Sequence, residues 1–384
     1  MIYLDNAATS WPKPPQVKEA MIKYIEKIGA NPGRSGHLLS VEAARILYEA
    51  RETLAKLFHV RDPLRIVFTL NATESINLAL RGLLKPGNHI ITSSMEHNSV
   101  MRPLRELERQ GIELSILPCS DRGWLDPKEV ERKIQPNTTM VVLNHASNVT
   151  GALLPVKEVA LITRKHDLLF LVDAAQTAGA HPINVEQDGI DLLAFTGHKS
   201  LYGPQGTGGL VIGDRVDEKE MIPLKRGGTG SRSEFEEQPD FLPDRFESGT
   251  PNGVGIAGLL AGTQFVLERG IEKIRREESR LMDKLMEGLR EIPQARFYSP
   301  ENKKNRIATF SFNLGQRSPS DVALRLEKEF GILCRSGLHC APAAHRTIGT
   351  FPEGTVRFSL SQFNSQDEME TAVQAVSRIA RGRA

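Results

Sequence analysis

A chain of 384 residues is long enough for two domains of ~100–200 residues each and for a large buried core. Its 49 basic and 47 acidic residues leave a formal charge of +2, which provides no field for nucleic acid or an anionic membrane, and no apolar run approaches the ~20 residues of a membrane span. Three cysteines are too few and odd in number for a disulfide framework, and the first residues lack the basic and apolar regions of a secretory signal; a cytoplasmic setting is expected, with any special cysteine a free thiol.

The stretch Trp11-Pro-Lys-Pro-Pro15 is too rigid to start a helix before Gln16 and is expected to cross between domains. Beyond it, β-branched and apolar runs alternate with charged amphipathic stretches. They predict strands over Ile66–Thr69, His89–Ser93, Glu113–Leu117, Met140–Asn144, Leu168–Asp173, Leu192–Phe195 and Gly209–Ile212, most separated by helices such as Val100–Arg109 and Val156–Lys165. This βαβ rhythm implies an α/β fold whose mostly parallel sheet is covered on both faces, with function at the strand carboxyl ends. From about Gly253 the pattern changes to helices over Ile256–Glu268 and Ile271–Arg290, strands at Ile307–Phe312 and Val356–Ser361, and a last helix at Gln366–Arg381. The expected division is a large α/β domain over 16–252 and a smaller α+β domain made of 253–384 together with residues 1–15, which carries the cysteine loop.

Lys199 ends the run Asp191-Leu-Leu-Ala-Phe-Thr-Gly-His-Lys199, a poor place for a lysine whose task is solubility. Desolvation lowers a lysine's pKa and makes it a nucleophile, for which a Schiff base with pyridoxal phosphate (PLP) is a leading use. A carboxylate commonly pairs with the pyridinium nitrogen of that cofactor. Asp173, closing the apolar run Leu168–Val172 where open α/β sheets bind ligands, is the candidate. Taken singly, Lys199 reads equally as a surface residue and Asp173 as a helix cap. Other strand ends carry polar groups too: Asn71 or Thr73 can cap a helix whose free N–H groups form an anion site, His97 offers a flat ring, and Asn144, His145, Asn148 and Gln176 follow further strands. The run Gly203–Gly209 leads into a strand rather than opening a helix, so it reads as a tight turn and not a dinucleotide site. The ten histidines and three cysteines show no zinc-ligand spacing, and no metal is expected.

The segment Cys334-Arg-Ser-Gly-Leu-His-Cys340-Ala-Pro-Ala-Ala-His-Arg346 is a loop in which Arg335, His339, His345 and Arg346 supply positive potential, the setting that makes a thiolate reactive. Cys340 is the candidate nucleophile, with an idle loop cysteine as the alternative. Cys334 reads as buried filler, and Cys119 has no evident cationic neighbours.

In order along the chain stand Tyr3-Leu-Asp-Asn-Ala-Ala-Thr9, Arg34-Ser-Gly-His-Leu-Leu-Ser40, Asn71-Ala-Thr-Glu-Ser-Ile-Asn77, Glu96-His-Asn-Ser99, Ser147-Asn-Val-Thr-Gly151, Val172-Asp-Ala-Ala-Gln176, Thr196-Gly-His-Lys199, Phe246-Glu-Ser-Gly-Thr-Pro-Asn252 and Arg335-Ser-Gly-Leu-His-Cys-Ala-Pro342. Across nearly the whole chain this series resembles the PLP-dependent cysteine desulfurases of the class V aminotransferase family, nearer the selenocysteine-lyase-like group than the iron–sulfur scaffold group. The resemblance implies the aspartate aminotransferase-like fold, type I of the PLP-dependent transferases. It implies a cofactor-carrying Lys199, Asp173 at the pyridine nitrogen, Gln176 at the ring hydroxyl and His97 stacked on the ring, with Lys199, Cys340 and His97 as catalytic groups. Thr73, Thr196 and His198 would hold the phosphate, with Ala72 contributing its backbone N–H. Asn148 would touch substrate or cofactor, Arg357 would hold the substrate carboxylate by a bidentate pair, and Thr229 would reach the phosphate of the other subunit of a homodimer. The implied reaction turns L-cysteine into L-alanine and leaves the sulfur on Cys340 as a persulfide, for transfer to an acceptor protein or small thiol. Selenocysteine or cysteine sulfinate are alternative substrates; a class V transaminase or lyase that does not use Cys340, and a non-catalytic PLP binder, are the alternative functions. Leu338, where many relatives have a second histidine, and Ser200, an added residue after the lysine, mark departures that put the acceptor and the loop's motion in doubt.

Overall fold

A computed structural model of the chain describes residues 1–33 and 35–382. A two-residue strand, β1 (Ile2–Tyr3), pairs in parallel with Ile332 and Leu333, far along the sequence. Asp5 then bridges Ser359, while Ser10 and Lys13 donate to the carbonyls of Lys199 and His198 at 2.8 and 2.7 Å. The proline-rich arm thus ties the C-terminal region to the segment bearing Lys199. Helix α1 (Pro15–Lys23) begins one residue earlier than expected, because a proline at the first helical position gives up an N–H that would lack a partner anyway. A π-helical turn over Tyr24–Ile28 follows, and then α2 (Leu38–Phe58).

The βαβ alternation is β2 (Ile66–Thr69), α3 (Ala72–Leu83), β3 (His89–Ser93), α4 (Asn98–Arg109), β4 (Glu113–Leu117), α5 (Pro127–Lys133), β5 (Thr138–Asn144), α6 (Val156–Lys165), β6 (Leu169–Asp173), β7 (Leu192–Thr196) and β8 (Gly208–Ile212). Among the described residues these strands form one seven-stranded sheet in the order β2-β8-β7-β6-β5-β3-β4, parallel except for β8, which runs antiparallel to both neighbours. Strands β3, β7 and β8 are buried along their whole length, which is why β7 and β8 read as near-continuous apolar runs, while β3 buries His89, Thr92 and Ser93 beside Ile90 and Ile91. Alternation appears only in where the side chains go: Phe170 and Val172 enter the core on one face, Leu171 the core on the other. The glycine run before β8 serves close approach. A Cβ at Gly208 would lie 2.7 Å from the Cα of Asn71, and one at Gly209 would lie 2.5 Å from the Phe195 ring.

Two long helices, α7 (Gly253–Arg269) and α8 (Ile271–Arg290), lead to β9 (Ala295–Phe297), β10 (Thr309–Leu314), α9 (Pro319–Phe330), β11 (Ile332–Leu333), β12 (Arg335–Gly337), α10 (Pro342–Thr347), β13 (Thr355–Ser359) and α11 (Gln366–Ala380). An antiparallel sheet, β12-β13-β10-β9, packs Phe310, Phe312 and Phe358 against Leu281, Leu285 and Leu289 of α8 and Ala372 and Val376 of α11. Strand β10 begins two residues later than expected, because the Ile307 N–H is spent on the carbonyl of Gly151 beside the parallel sheet, at 2.9 Å.

Candidate active site

The carboxyl ends of β5, β6 and β7 deliver Asn144, Asp173 and Thr196 to one cavity of about 300 Å³. After Thr196 the chain turns at Gly197, where a Cβ would sit 2.2 Å from the Thr207 hydroxyl, and this turn brings His198 and Lys199 to the cavity wall. Helix α3 adds its first turn. Asn71 caps it, accepting the Glu74 N–H at 3.0 Å, so Thr73 is left with its hydroxyl uncommitted to capping at a helix end that favours anions.

Burial lowers the Lys199 ammonium from its ordinary value to about 8; the Asp173 carboxylate opposes that fall and the Arg357 and Arg335 guanidiniums add to it. Asp173 is itself 5% exposed. Burial raises its pKa, while the Ala175 N–H at 2.9 Å, the Lys199 charge and the Ser99 hydroxyl pull it down. His97 caps α4: its Nδ1 accepts the Ser99 N–H at 3.0 Å, which places the imidazole proton on Nε2. Burial, with Lys199 and Arg335 nearby, lowers His97 to about 3, so the ring is neutral. His198 is likewise held neutral at about 4 by burial and by the charges of Lys199 and Lys13.

The C-terminal region closes the cavity with Arg335, His339 and Arg357. Arg357, on β13, is 1% exposed; Nη1 donates to the Asn148 carbonyl at 3.1 Å and Nη2 to Asp5 Oδ1 at 2.7 Å. Arg335, on β12, approaches the Cys340 sulfur with Nη2 at 3.3 Å. Cys340 is exposed, outside the cavity wall, and both it and His339 have left-handed backbones at φ +58 and +49, a strained arrangement for residues with a Cβ. Its carbonyl accepts the N–H of Asn98, the residue after His97, at 2.8 Å. The Asn148 amide donates to the His339 carbonyl at 2.7 Å.

Of the residues singled out from the sequence, Ala72, Thr73, His97, Asn148, Asp173, Gln176, Thr196, His198, Lys199 and Arg357 all line this cavity. Thr229 does not; its hydroxyl lies 3.1 Å from that of Ser231. Arg34, which opens one of the matching motifs, lies outside the described residues. The positive potential expected around Cys340 has a different source from the one anticipated. His339 and His345 are buried, their pKa values pushed down by that burial, so they carry no charge, and Arg346 lies over the Phe351 ring. Arg335 supplies the charge at the sulfur. Cys334 and Cys119 are half-buried thiols pushed up to about 12 and about 11 by desolvation. Sequence reasoning missed three groups. Asp5 is paired with Arg357 across 352 positions. Ser99 follows His97 by two, the spacing of a helix cap. Glu96 is fully buried and accepts the Ser93 hydroxyl and the Asn144 N–H at 2.5 and 2.9 Å; its place beside His97 was the available signal.

Five buried polar atoms on this wall have no partner among the described residues: Asn144 Oδ1, Asn148 Oδ1, His198 Nδ1, His339 Nδ1 and Arg357 Nε. Leaving such groups unpaired is costly, and they mark where a ligand's polar atoms belong. An amine that is partly neutral near pH 8, a buried carboxyl that a cationic ring nitrogen would relieve, and a helix end suited to phosphate fit the donor set of PLP.

The family model for the class-V aminotransferases matches residues 2–371. The chain belongs to that family. Among its class V relatives, a probable cysteine desulfurase of Pyrococcus abyssi is 36% identical, over 99% of this chain and 94% of its own. A cysteine desulfurase of Salmonella dublin is 33% identical, over 99% and 94%. The apo structure of a cysteine desulfurase from Thermococcus onnurineus superimposes with a TM-score of 0.93 at 36% identity, over 99% of this chain and 95% of that one. The cysteine desulfurase CsdA of Escherichia coli, in its S-sulfonic acid form, gives 0.89 at 29%, over 100% and 95%. The α/β architecture is therefore that of PLP-dependent transferase fold type I.

Proposed function

We propose that this class V protein is a PLP-dependent cysteine desulfurase that uses Lys199, Asp173 and Cys340. The observation that carries the reading is Arg335: its side chain lines the Lys199 cavity and also touches the Cys340 sulfur, so the amine and the thiol belong to one site. A transaminase has no use for that thiol.

When bound, PLP supplies an electron sink for a carbanion at the substrate's α-carbon. Arg357 holds the substrate carboxylate, and Asn148 braces it through the carbonyl that Arg357 already grips. Lys199, half-buried and poised near pH 8, takes the Cα proton and later returns one. Asp173 stays in place through the Ala175 N–H and would stabilise a positive charge on the cofactor's ring nitrogen. Neutral His97 presents a flat ring fixed by Ser99. The Cys340 thiolate, with Arg335 beside it, attacks the substrate sulfur. The Cβ–S bond breaks as the S–S bond forms, giving alanine and a persulfide on Cys340, so that one thiol and one cysteine become one persulfide and one alanine. The exposed position of Cys340 suits delivery of the sulfur to an acceptor protein or small thiol.

The chain is proposed to act as a homodimer in which Thr229 completes the partner's phosphate site, since that residue does not line its own cavity. It divides into the large domain over 16–252 and the smaller one over 253–384 with residues 1–15. No helix of the described residues is long and apolar enough to cross a membrane, and all three thiols are free; a reducing cytoplasm, where a free thiol and its persulfide persist, fits best. The test is to mix purified protein with L-cysteine and measure alanine and sulfide in the presence of a thiol. Equal yields of the two, lost in Cys340→Ala, are expected. Ketoacid formation without sulfide would establish a transaminase instead.

A further inference from the structure

Arg357 heads the fully buried side chains of this protein by size, and the way its charge is balanced is unusual for a ligand-binding arginine. Of its nitrogens, Nη1 serves the Asn148 carbonyl, Nη2 serves Asp5, and Nε has no partner among the described residues. Asp5 is held firmly. Ser359, two residues beyond Arg357 on the same strand, donates its N–H to the Leu4 carbonyl at 2.8 Å, and its hydroxyl accepts the Ala7 N–H at 2.8 Å; Tyr3 donates to the Asp5 carbonyl at 3.3 Å. Asp5 does not line the cavity, although Ala7 and Ala8 do, so its carboxylate meets the guanidinium from outside the cavity wall.

We propose that Asp5 is a positioning residue that acts as a resident counter-ion: it fixes the Arg357 guanidinium with Nε free for an amino acid's carboxylate, and weakens the hold on that carboxylate by sharing the charge. The proposal rests on reading the cavity as an amino-acid site. An incoming carboxylate and Asp5 are like charges on one guanidinium, so they repel one another. Without Asp5, a buried guanidinium would lack a counter-charge and would grip any carboxylate harder, product alanine included. An isosteric asparagine keeps an oxygen acceptor for Nη2 and removes only the charge. A merely structural role for Asp5 would make every ligand bind more weakly; a counter-ion role makes carboxylates alone bind more tightly.

Calorimetric titration of the holoenzyme separates these cases. With L-alanine as the probe, Asp5→Asn should lower the Kd at least fivefold. With L-alaninamide, which has no carboxylate, it should change the Kd less than twofold. Asp5→Ser, which also removes the charge and retains an oxygen, should tighten alanine in the same direction. In turnover, KM for L-cysteine should fall while kcat does not rise, because alanine leaves more slowly. Unchanged or weaker alanine binding in both variants overturns the proposal, as does equal tightening of the amide. Wild-type protein that releases no sulfide from L-cysteine overturns the desulfurase reading instead, so the two failures are distinguishable.

Discussion

The reactivity of Lys199 should be governed by its burial, and the pH dependence of that reactivity is measurable. A lysine lowered to about 8 is about one-tenth neutral amine at pH 7, against a few parts in ten thousand for one at its ordinary value of 10.5. The gain in nucleophile is therefore on the order of 300-fold at neutral pH. Protein stripped of cofactor and remixed with PLP between pH 6 and 10, quenched with borohydride and digested, allows the modified Lys199 peptide to be counted by mass spectrometry at early times. Its initial rate should rise about tenfold from pH 7 and level off above about pH 9, with its midpoint near 8. Asp173→Asn sharpens the test, because the Asp173 carboxylate opposes the lowering of Lys199; the midpoint in that variant should move below 8. A wild-type midpoint above about 9.5, or a midpoint that moves upward in Asp173→Asn, would refute desolvation as the controlling cause.

Three further outcomes are expected. Cys340→Ala should lower sulfide release by about a hundredfold or more while leaving alanine affinity within about twofold, because the thiol accepts sulfur and holds neither cofactor nor carboxylate; near-normal release would remove Cys340 from the reaction. Cys340→Gly should be more stable than Cys340→Ala by ~1 kcal/mol in urea titrations, since φ is +58 there and only glycine adopts that backbone freely; equal stabilities would mean the loop is unstrained. Glu278, 6% exposed and raised to about 8 by desolvation, contributes stability that is full below the ordinary carboxyl pKa and lost as pH rises through 8. Melting temperatures of Glu278→Gln should therefore exceed wild type at pH 8.5 but not at pH 5, with a differential of at most ~5 kcal/mol; parallel pH curves would contradict the buried charge.

What the sequence made legible follows physical lines. The strands of the parallel sheet were readable because burial on both faces leaves short apolar runs with sharp ends, and those ends held Asp173 and Thr196. Helix α2 went unread although Ala43, Leu47, Ala50, Leu54 and Phe58 recur at helical spacing on its buried face, because apolar Leu38, Val41 and Tyr48, which stay 80%, 55% and 47% exposed, blur that stripe in the sequence. Local composition also misled at the cysteine loop. Histidine beside arginine looks cationic in a sequence, yet folding buried His339 and His345 and left them neutral. The Asp5–Arg357 pair was out of reach because nothing local links two residues that far apart; the pairing of β1 with β11 and the bonds between residues 4–7 and Ser359 bring them together.

The bond from the Asn98 N–H to the Cys340 carbonyl has a use beyond holding the loop. The first N–H groups of a helix have no partner inside it, so among the described residues this amide is shielded from solvent only while the cysteine loop is docked. Its exchange for deuterium is a stopwatch. Each departure of the loop exposes one identifiable proton next to His97, and the exchange rate reports how readily the loop opens, without a substrate or turnover. An acceptor that draws the loop outward would quicken the exchange, and one that docks without disturbing it would leave the exchange alone.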